Sequence, residues 1–230
     1  MRRRMLALLL AAACAPAAGP VRVLVVTGGH DYPPSFYTLF EGHAEIAAKV
    51  DPHPMPYRRG DLRPRYDVLV LYDSVQEIAE AERKNLQDFL ESGKGLVVLH
   101  HALGDSADWD WWCEEVVGAR WLWKPTPTRA RTTWKHDVVL KVQRVLDHPV
   151  TRGIERMDIL DETYKGLWLS PRIRVLLRTD EESSDGPVAW IGPYEKSRVV
   201  VIQLGHGREA HLHPDYQKLV RNAILWAAGR

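Results

Sequence analysis

Apolar residues along this chain come in short dense runs separated by amphipathic stretches. VRVLVVTGG (21–29) is a β-branched run closed by glycines, with the unbroken hydrophobicity of a strand covered on both faces. Residues 35–50 place Phe36, Leu39, Phe40 and Ile46 on one side, behind Ser35 as an N-cap, and so predict a helix. YDVLVLYDS (66–74) predicts a second strand. EIAEAERKNLQDFLESGKG (77–95) predicts an amphipathic helix with Ile78, Leu86, Phe89 and Leu90 inward and Gly93 at its close. GKGLVVLHHALG (93–104) carries a third strand, which stops at His100 and His101. RVVVIQLGHG (198–207) predicts a further buried strand. A last helix over 215–228 follows, its apolar face built from Tyr216, Leu219, Val220, Ile224 and Trp226.

Strands alternating with helices imply an α/β fold: a mainly parallel central sheet with helices on both faces, hence three layers. The middle, from about 104 to 187, is richer in Trp, Pro and Arg, and its segments TTWKHDVVLKV and IRVLLRT alternate with period two. That elaborated middle region predicts extra antiparallel strands and long loops. No Ser/Gly linker or internal repeat divides the chain, so residues 21–229 read as one domain.

Composition changes little in this picture. At 230 residues, 45% hydrophobic and 27% charged, the chain can bury a sizeable core. A formal charge of +1 gives no global attraction for nucleic acid or an anionic membrane surface. The amino terminus is another matter. Arg2, Arg3 and Arg4, then the apolar Leu6 to Ala13, then small residues to Gly19, read as an export signal over residues 1–19. The expectation is a periplasmic or secreted protein. Cys14 resembles a lipoprotein cleavage site and offers a lipid tether, although alanine stands three residues before it, where leucine is usual. With Cys14 removed or lipidated, Cys113 is the remaining thiol and no intrachain disulfide forms.

Ligands of open parallel sheets bind outside the carboxyl ends of the strands. Gly28, Gly29, His30, Asp31 and Tyr32 follow the first strand; Asp73 and Ser74 the second; His100 and His101 the third; Gly205, His206 and Gly207 the last. Three strands thus deliver histidine to one edge. Period-two alternation would send His100 and His101 to opposite sides, so that one faces the pocket. DHPVTRG (147–153) holds His148 in an extended turn before proline. DETYKG (161–166) clusters Asp161, Glu162 and Tyr164, where a carboxylate can orient an imidazole or act as base. Of tryptophans 109, 111, 112, 121 and 123, some serve the core and others can stack on a sugar ring; Trp109 is taken as the binding candidate. GxGxxG, P-loop and GxSxG motifs are missing from the expected places. His211 and His213 form an HxH before the last helix, where exposure is expected. No cofactor is required by the sequence, and a divalent metal is left open.

In order along the chain, GGHDYP, YDVLVLYD, GKGLVVLHHAL, HPVTRG, DETYKG, LGHG and ILWAAG resemble the trehalose-utilisation (ThuA-like) family. The resemblance implies a flavodoxin-like fold related to class I glutamine amidotransferases. Such amidotransferases place a cysteine on the turn after a central strand. Here that turn is LVVLHHALG, without Cys, Ser or Thr, and Cys113 does not fit the position. Glutamine hydrolysis is therefore not expected. The resemblance implies disaccharide catabolism through keto-sugars, handled by acid–base chemistry. In that reading His30 and His206 transfer protons, His100 or His101 polarises a carbonyl, and Glu162 orients or acts as base. Asp31, Tyr32, Asp73, Trp109, His148, Asp161 and Tyr164 would bind substrate. The partner is then a small carbohydrate, with a homo-oligomer left open. Two other readings stand beside it: a non-catalytic sugar-binding or scaffold protein, and a metal-dependent hydrolase.

Overall fold

The computed structural model describes residues 19–75 and 77–230. The segment expected to be an export signal, Cys14 included, lies outside the described residues, apart from Gly19. In chain order the strands are β1 (Val21–Gly28), β2 (Ile46–Pro52), β3 (Val68–Asp73), β4 (Gly95–Leu99), β5 (Ala119–Arg120) and β6 (Thr133–Arg144). Then come β7 (Arg156–Lys165), β8 (Trp168–Leu169), β9 (Arg174–Thr179), β10 (Pro187–Ile191) and β11 (Val199–Ile202). The helices are α1 (Met55–Arg58), α2 (Glu80–Glu91), α3 (Arg208–His211) and α4 (Pro214–Ala227).

Nine strands form one sheet in the order β2-β1-β3-β4-β11-β10-β9-β6-β7, and β5 pairs with β8 apart from it. The first five are parallel to one another and the rest join antiparallel. Each central strand splits its residues between two cores. Val23, Val25, Val68, Val70, Val97 and Leu99 meet α4 on one face. Leu24, Val26, Leu69, Leu71, Leu96 and Val98 meet Leu86, Phe89 and Leu90 of α2 on the other. This is why these strands read as unbroken apolar runs: neither face sees water. The architecture is α/β and flavodoxin-like, with the antiparallel elaboration in the middle of the chain.

Two expectations about elements need correction. Residues 35–50 are not a helix. A short 3-10 turn covers Pro34–Leu39 and buries Phe36 and Leu39. Gly42, at φ +77°, then breaks the helical path. Ile46 to Pro52 instead run parallel along the open side of β1, from Val21↔Ile46 to Thr27↔Pro52. The unpaired edge of β1 takes the segment that helical periodicity had claimed. In α4, Ala223 and Ala227 are buried while Trp226 stays half-exposed, because the close approach to the sheet has no room for the larger ring: Ala227 lies against Gly95.

The loop after β4 encloses a buried carboxyl pair. Asp105 accepts the Val75 N–H and lies within hydrogen-bond reach of Asp73, beside Tyr57 and Trp112. Burial pushes both carboxyls up, Asp73 to about 6 and Asp105 well above its ordinary value. A carboxyl raised in the folded state contributes stability that is fully present below the unfolded value of 3.8. That stability is lost as pH rises through the folded values. Asp105→Asn keeps an acceptor for Val75 and removes one ionisation. It should therefore flatten the decline of stability between about pH 4 and about pH 6. Asp105→Ala leaves the Val75 N–H without a partner and should cost ~1–3 kcal/mol at both pH values. Denaturant titrations of the three proteins check this; a wild-type stability that rises over that range would contradict it.

Candidate functional site

β4 stops at Leu99, and His100 enters a 3-10 turn with φ +45°. A left-handed non-glycine residue costs ~1–3 kcal/mol and persists only where surrounding contacts hold it. Here it cancels the strand alternation. His100 and His101 do not diverge to opposite sides as expected; their rings pack edge to face with centroids 4.3 Å apart, and both join one cluster.

The other half of the cluster comes from β7. Only Val142–Arg144 of β6 pair with β9, so the rest of the β6–β7 ribbon runs on past the sheet. It brings Asp161, Glu162 and Tyr164 to the carboxyl edge of the parallel strands, all buried and all within β7. Asp161 accepts the backbone N–H groups of Gly205 at 2.7 Å and His206 at 2.9 Å, and Gln203 Nε2 donates to the Glu162 carbonyl at 3.0 Å. These bonds fasten the loop after β11 to β7.

Glu162 is the centre of the cluster. Its Oε2 lies 2.7 Å from His206 Nδ1, 3.1 Å from His100 Nε2 and 3.8 Å from His136 Nδ1. The fourth imidazole, His101, offers a ring nitrogen within 4.8 Å of the ligand atoms of His100, Glu162 and His206. His100 Nδ1 faces the Gln203 carbonyl at 2.6 Å, so that nitrogen carries the proton and Nε2 points into the cluster. Tyr164 Oη is 3.0 Å from the same Nε2. Burial alone would raise the Glu162 carboxyl, but the neighbouring His100 and His206 imidazoles outweigh it and hold the group well below the usual carboxylate range. The same bond raises the His206 imidazole above its ordinary value. His101 is pushed down to about 2 by burial, with the neighbouring His100 and His30 adding to the effect.

His136 was hidden in the alternating run of β6. Lys135 pairs with Thr163 and Val138 with Asp161, so His136 and Asp137 together oppose Glu162 in a bulge, with Asp137 at φ +56°. Bulges re-aim side chains, and this one turns His136 toward Glu162.

His101, His136, Glu162 and His206 form the floor of an open cleft of about 560 Å³, its mouth and adjoining open space included. Trp121, Trp123 and Trp134 form its walls, with Tyr164. Trp121 meets Tyr164 edge to face at 4.8 Å, while Trp123 and Trp134 are about half exposed, at 49% and 51%.

Several residues expected at the site stand elsewhere. His30 lies one ring behind, 3.8 Å from the His101 ring, with its two nitrogens on the carbonyls of Asp31 and Tyr72 at 2.9 and 3.0 Å. His30 packs on the His101 ring and does not itself line the cleft. Asp31 is exposed, and Tyr32 packs against Phe36 and Tyr72. Asp73 is buried in the carboxyl pair behind the cleft. His148 caps the turn before β7 and packs on Trp226 of α4. Trp109 packs on Trp111 and Trp112 beneath Arg83, so Trp121 and Trp134 take the place assigned to it. His211 is fully buried, not exposed: it bridges Tyr72 and the Gly205 carbonyl. His213 caps α4 by accepting the Asp215 N–H. Buried Cys113, its thiol pushed up to about 12 by burial, is not placed as a nucleophile.

Comparison with known proteins follows the same line. A putative ThuA-like protein from Parabacteroides merdae superposes with a TM-score of 0.77 at 16% identity, over 91% of this chain and 90% of its own. One from Bacteroides uniformis gives 0.66 at 17%, over 93% and 95%. A β-galactosidase from Rahnella sp. R3 matches 89% of this chain with 31% of its own length, at a TM-score of 0.57 and 13% identity. At these identities the likeness concerns the fold. No match is found among curated proteins. Residues 22–227 match the family described as trehalose utilisation, so the chain belongs to the ThuA family, whose role is in carbohydrate processing.

Proposed function

We propose that this protein is an enzyme acting on a keto-sugar by acid–base chemistry. The observation that carries the reading is Glu162, a buried carboxylate faced by three imidazoles on the floor of a tryptophan-walled cleft. The C–H face of a sugar ring is apolar and fits an aromatic wall, while its oxygens need polar partners. A keto-sugar adds an acidic C–H bond beside its carbonyl. Breaking that bond sends the proton to an imidazole and the electron pair onto the carbonyl oxygen, giving an enediolate. Returning a proton to the former carbonyl carbon, as the hydroxyl on the deprotonated carbon gives up its own, completes an isomerisation; expelling a substituent from the carbon on the other side, β to the carbonyl, as the carbonyl re-forms completes an elimination. Of the imidazoles that line the cleft, His136 and His206 face Glu162, which orients them and balances their charge.

Purified protein incubated with 3-keto-disaccharides, with products followed by NMR, tests this. Trp134→Ala should raise KM by about tenfold, the loss of one aromatic contact, with kcat within about twofold. Binding of the sugar without any product would favour the non-catalytic sugar-binding reading. Neither binding nor product would sink both.

A further inference from the structure

We propose that His100, His101, Glu162 and His206 together hold a first-row divalent cation of the zinc type. The assignment deepens the reading above and rests on it only for the role given to the ion. Four ligand atoms, three imidazole nitrogens and one carboxylate oxygen, lie within 4.8 Å of one another. For tetrahedral zinc, with bonds of roughly 2.0–2.1 Å, ligand atoms stand roughly 3.3 Å apart. Three of the six separations, those among His100, Glu162 and His206, are already 2.7, 3.1 and 3.2 Å, and His101, within 4.8 Å of the others, would close in to complete the set.

The surroundings match a ligand set as well as the distances do. A metal-bound imidazole commonly donates its other N–H to a carbonyl or carboxylate, which fixes tautomer and ring orientation. His100 does this through Nδ1 to the Gln203 carbonyl at 2.6 Å. Gln203 also donates to the Glu162 backbone carbonyl, and Asp161 clamps the backbone of His206, so each of the three strand ends is held by the next. His101 Nδ1 is buried with no hydrogen-bond partner among the described residues, an orphan that calls for an explanation. His100 holds its position in a left-handed conformation that no strand end requires. Three nitrogen ligands favour zinc-like ions over magnesium or calcium, which prefer oxygen. Because the ligands come from three separate segments, no local motif such as HExxH announces the site.

His101, Glu162 and His206 line the cleft, so the ion faces a bound sugar. There it would polarise the carbonyl and hold the enediolate oxygen. His206 then serves as ligand, and proton exchange falls to His136, the floor imidazole outside the ligand set.

The test uses protein purified without an affinity tag and titrated calorimetrically with zinc chloride, with no sugar present. About one zinc per chain should bind, and thermal unfolding should shift upward with zinc but not with the same concentration of magnesium. His206→Ala and Glu162→Gln should each weaken zinc binding by more than about tenfold, while His136→Ala keeps one zinc per chain. Wild-type protein without saturable zinc binding would overturn the proposal. So would His206→Ala and Glu162→Gln proteins, folded by circular dichroism, that bind zinc as the wild type does, or equal loss in His136→Ala. Since zinc is titrated without sugar, failure here leaves the sugar reading standing, and failure of turnover leaves the ion.

Discussion

Glutamine in place of Glu162 is expected to slow conversion of a keto-sugar by about a hundredfold or more, the scale of a lost acid–base group, in a chain that stays folded. Gln has nearly the same shape, and the Glu162 main chain keeps its bond from Gln203. What disappears is the negative charge shared by His100, His206 and His136. Those imidazoles then lose the group that orients them, and any cation at the cluster loses its one anionic ligand. Either way the expected signature is a fall in kcat with little change in KM. Trp134→Ala should do the opposite, because it touches the cleft wall and not the floor. Steady-state rates on proteins matched by circular dichroism check the contrast. A Glu162→Gln enzyme within about threefold of wild type would remove Glu162 from the chemistry.

The second large effect is structural. Gly205→Ala should cost ~3 kcal/mol or more, from strain and overpacking together. Gly205 sits at φ +120°, and an added Cβ would lie 2.1 Å from the hydroxyl of Tyr216, which is fully buried and donates to Leu204. The Gly205 N–H donates to Asp161 and its carbonyl accepts from Tyr72, so the main chain cannot slide away without breaking the bonds that aim His206. Gly60→Ala is the control. Gly60 has φ +95° but nothing within 4 Å of its missing Cβ, so it reports backbone strain without the collision. Chemical denaturation should show Gly205→Ala losing clearly more stability than Gly60→Ala. Equal losses would mean that Tyr216 yields and that the loop is not held as described.

Much of the fold was legible because burial on both faces leaves a plain mark. β1, β3, β4 and β11 are unbroken apolar runs, and the carboxyl-edge rule pointed directly at His100, His101 and His206. The rule failed where a backbone detail decided. Alternation would have separated His100 from His101, and one left-handed residue brings them together. Ile46 fitted a helical face, but the free edge of β1 needed a partner strand more than residues 35–50 needed a helix. Glu162 and Tyr164 were visible as a cluster. Their arrival at the edge depends on how far the β6–β7 ribbon overshoots β9, which no periodicity records. His136 was missed because it sits in a run that alternates like any exposed strand, and its bulge is a register event between two strands. Trp109 and Trp121 look alike in sequence; only the layer each packs into separates a core ring from a cleft wall.

The central claim is that the floor of this cleft moves a proton on a keto-sugar. It is tested most directly by solvent exchange: a 3-keto-disaccharide incubated with the protein in deuterium oxide and followed by NMR. The account predicts deuterium appearing at the carbon beside the carbonyl faster with wild-type protein than in buffer, and at the buffer rate with Glu162→Gln. Exchange that is no faster with wild-type protein than without it, for a sugar shown to bind, would contradict the account.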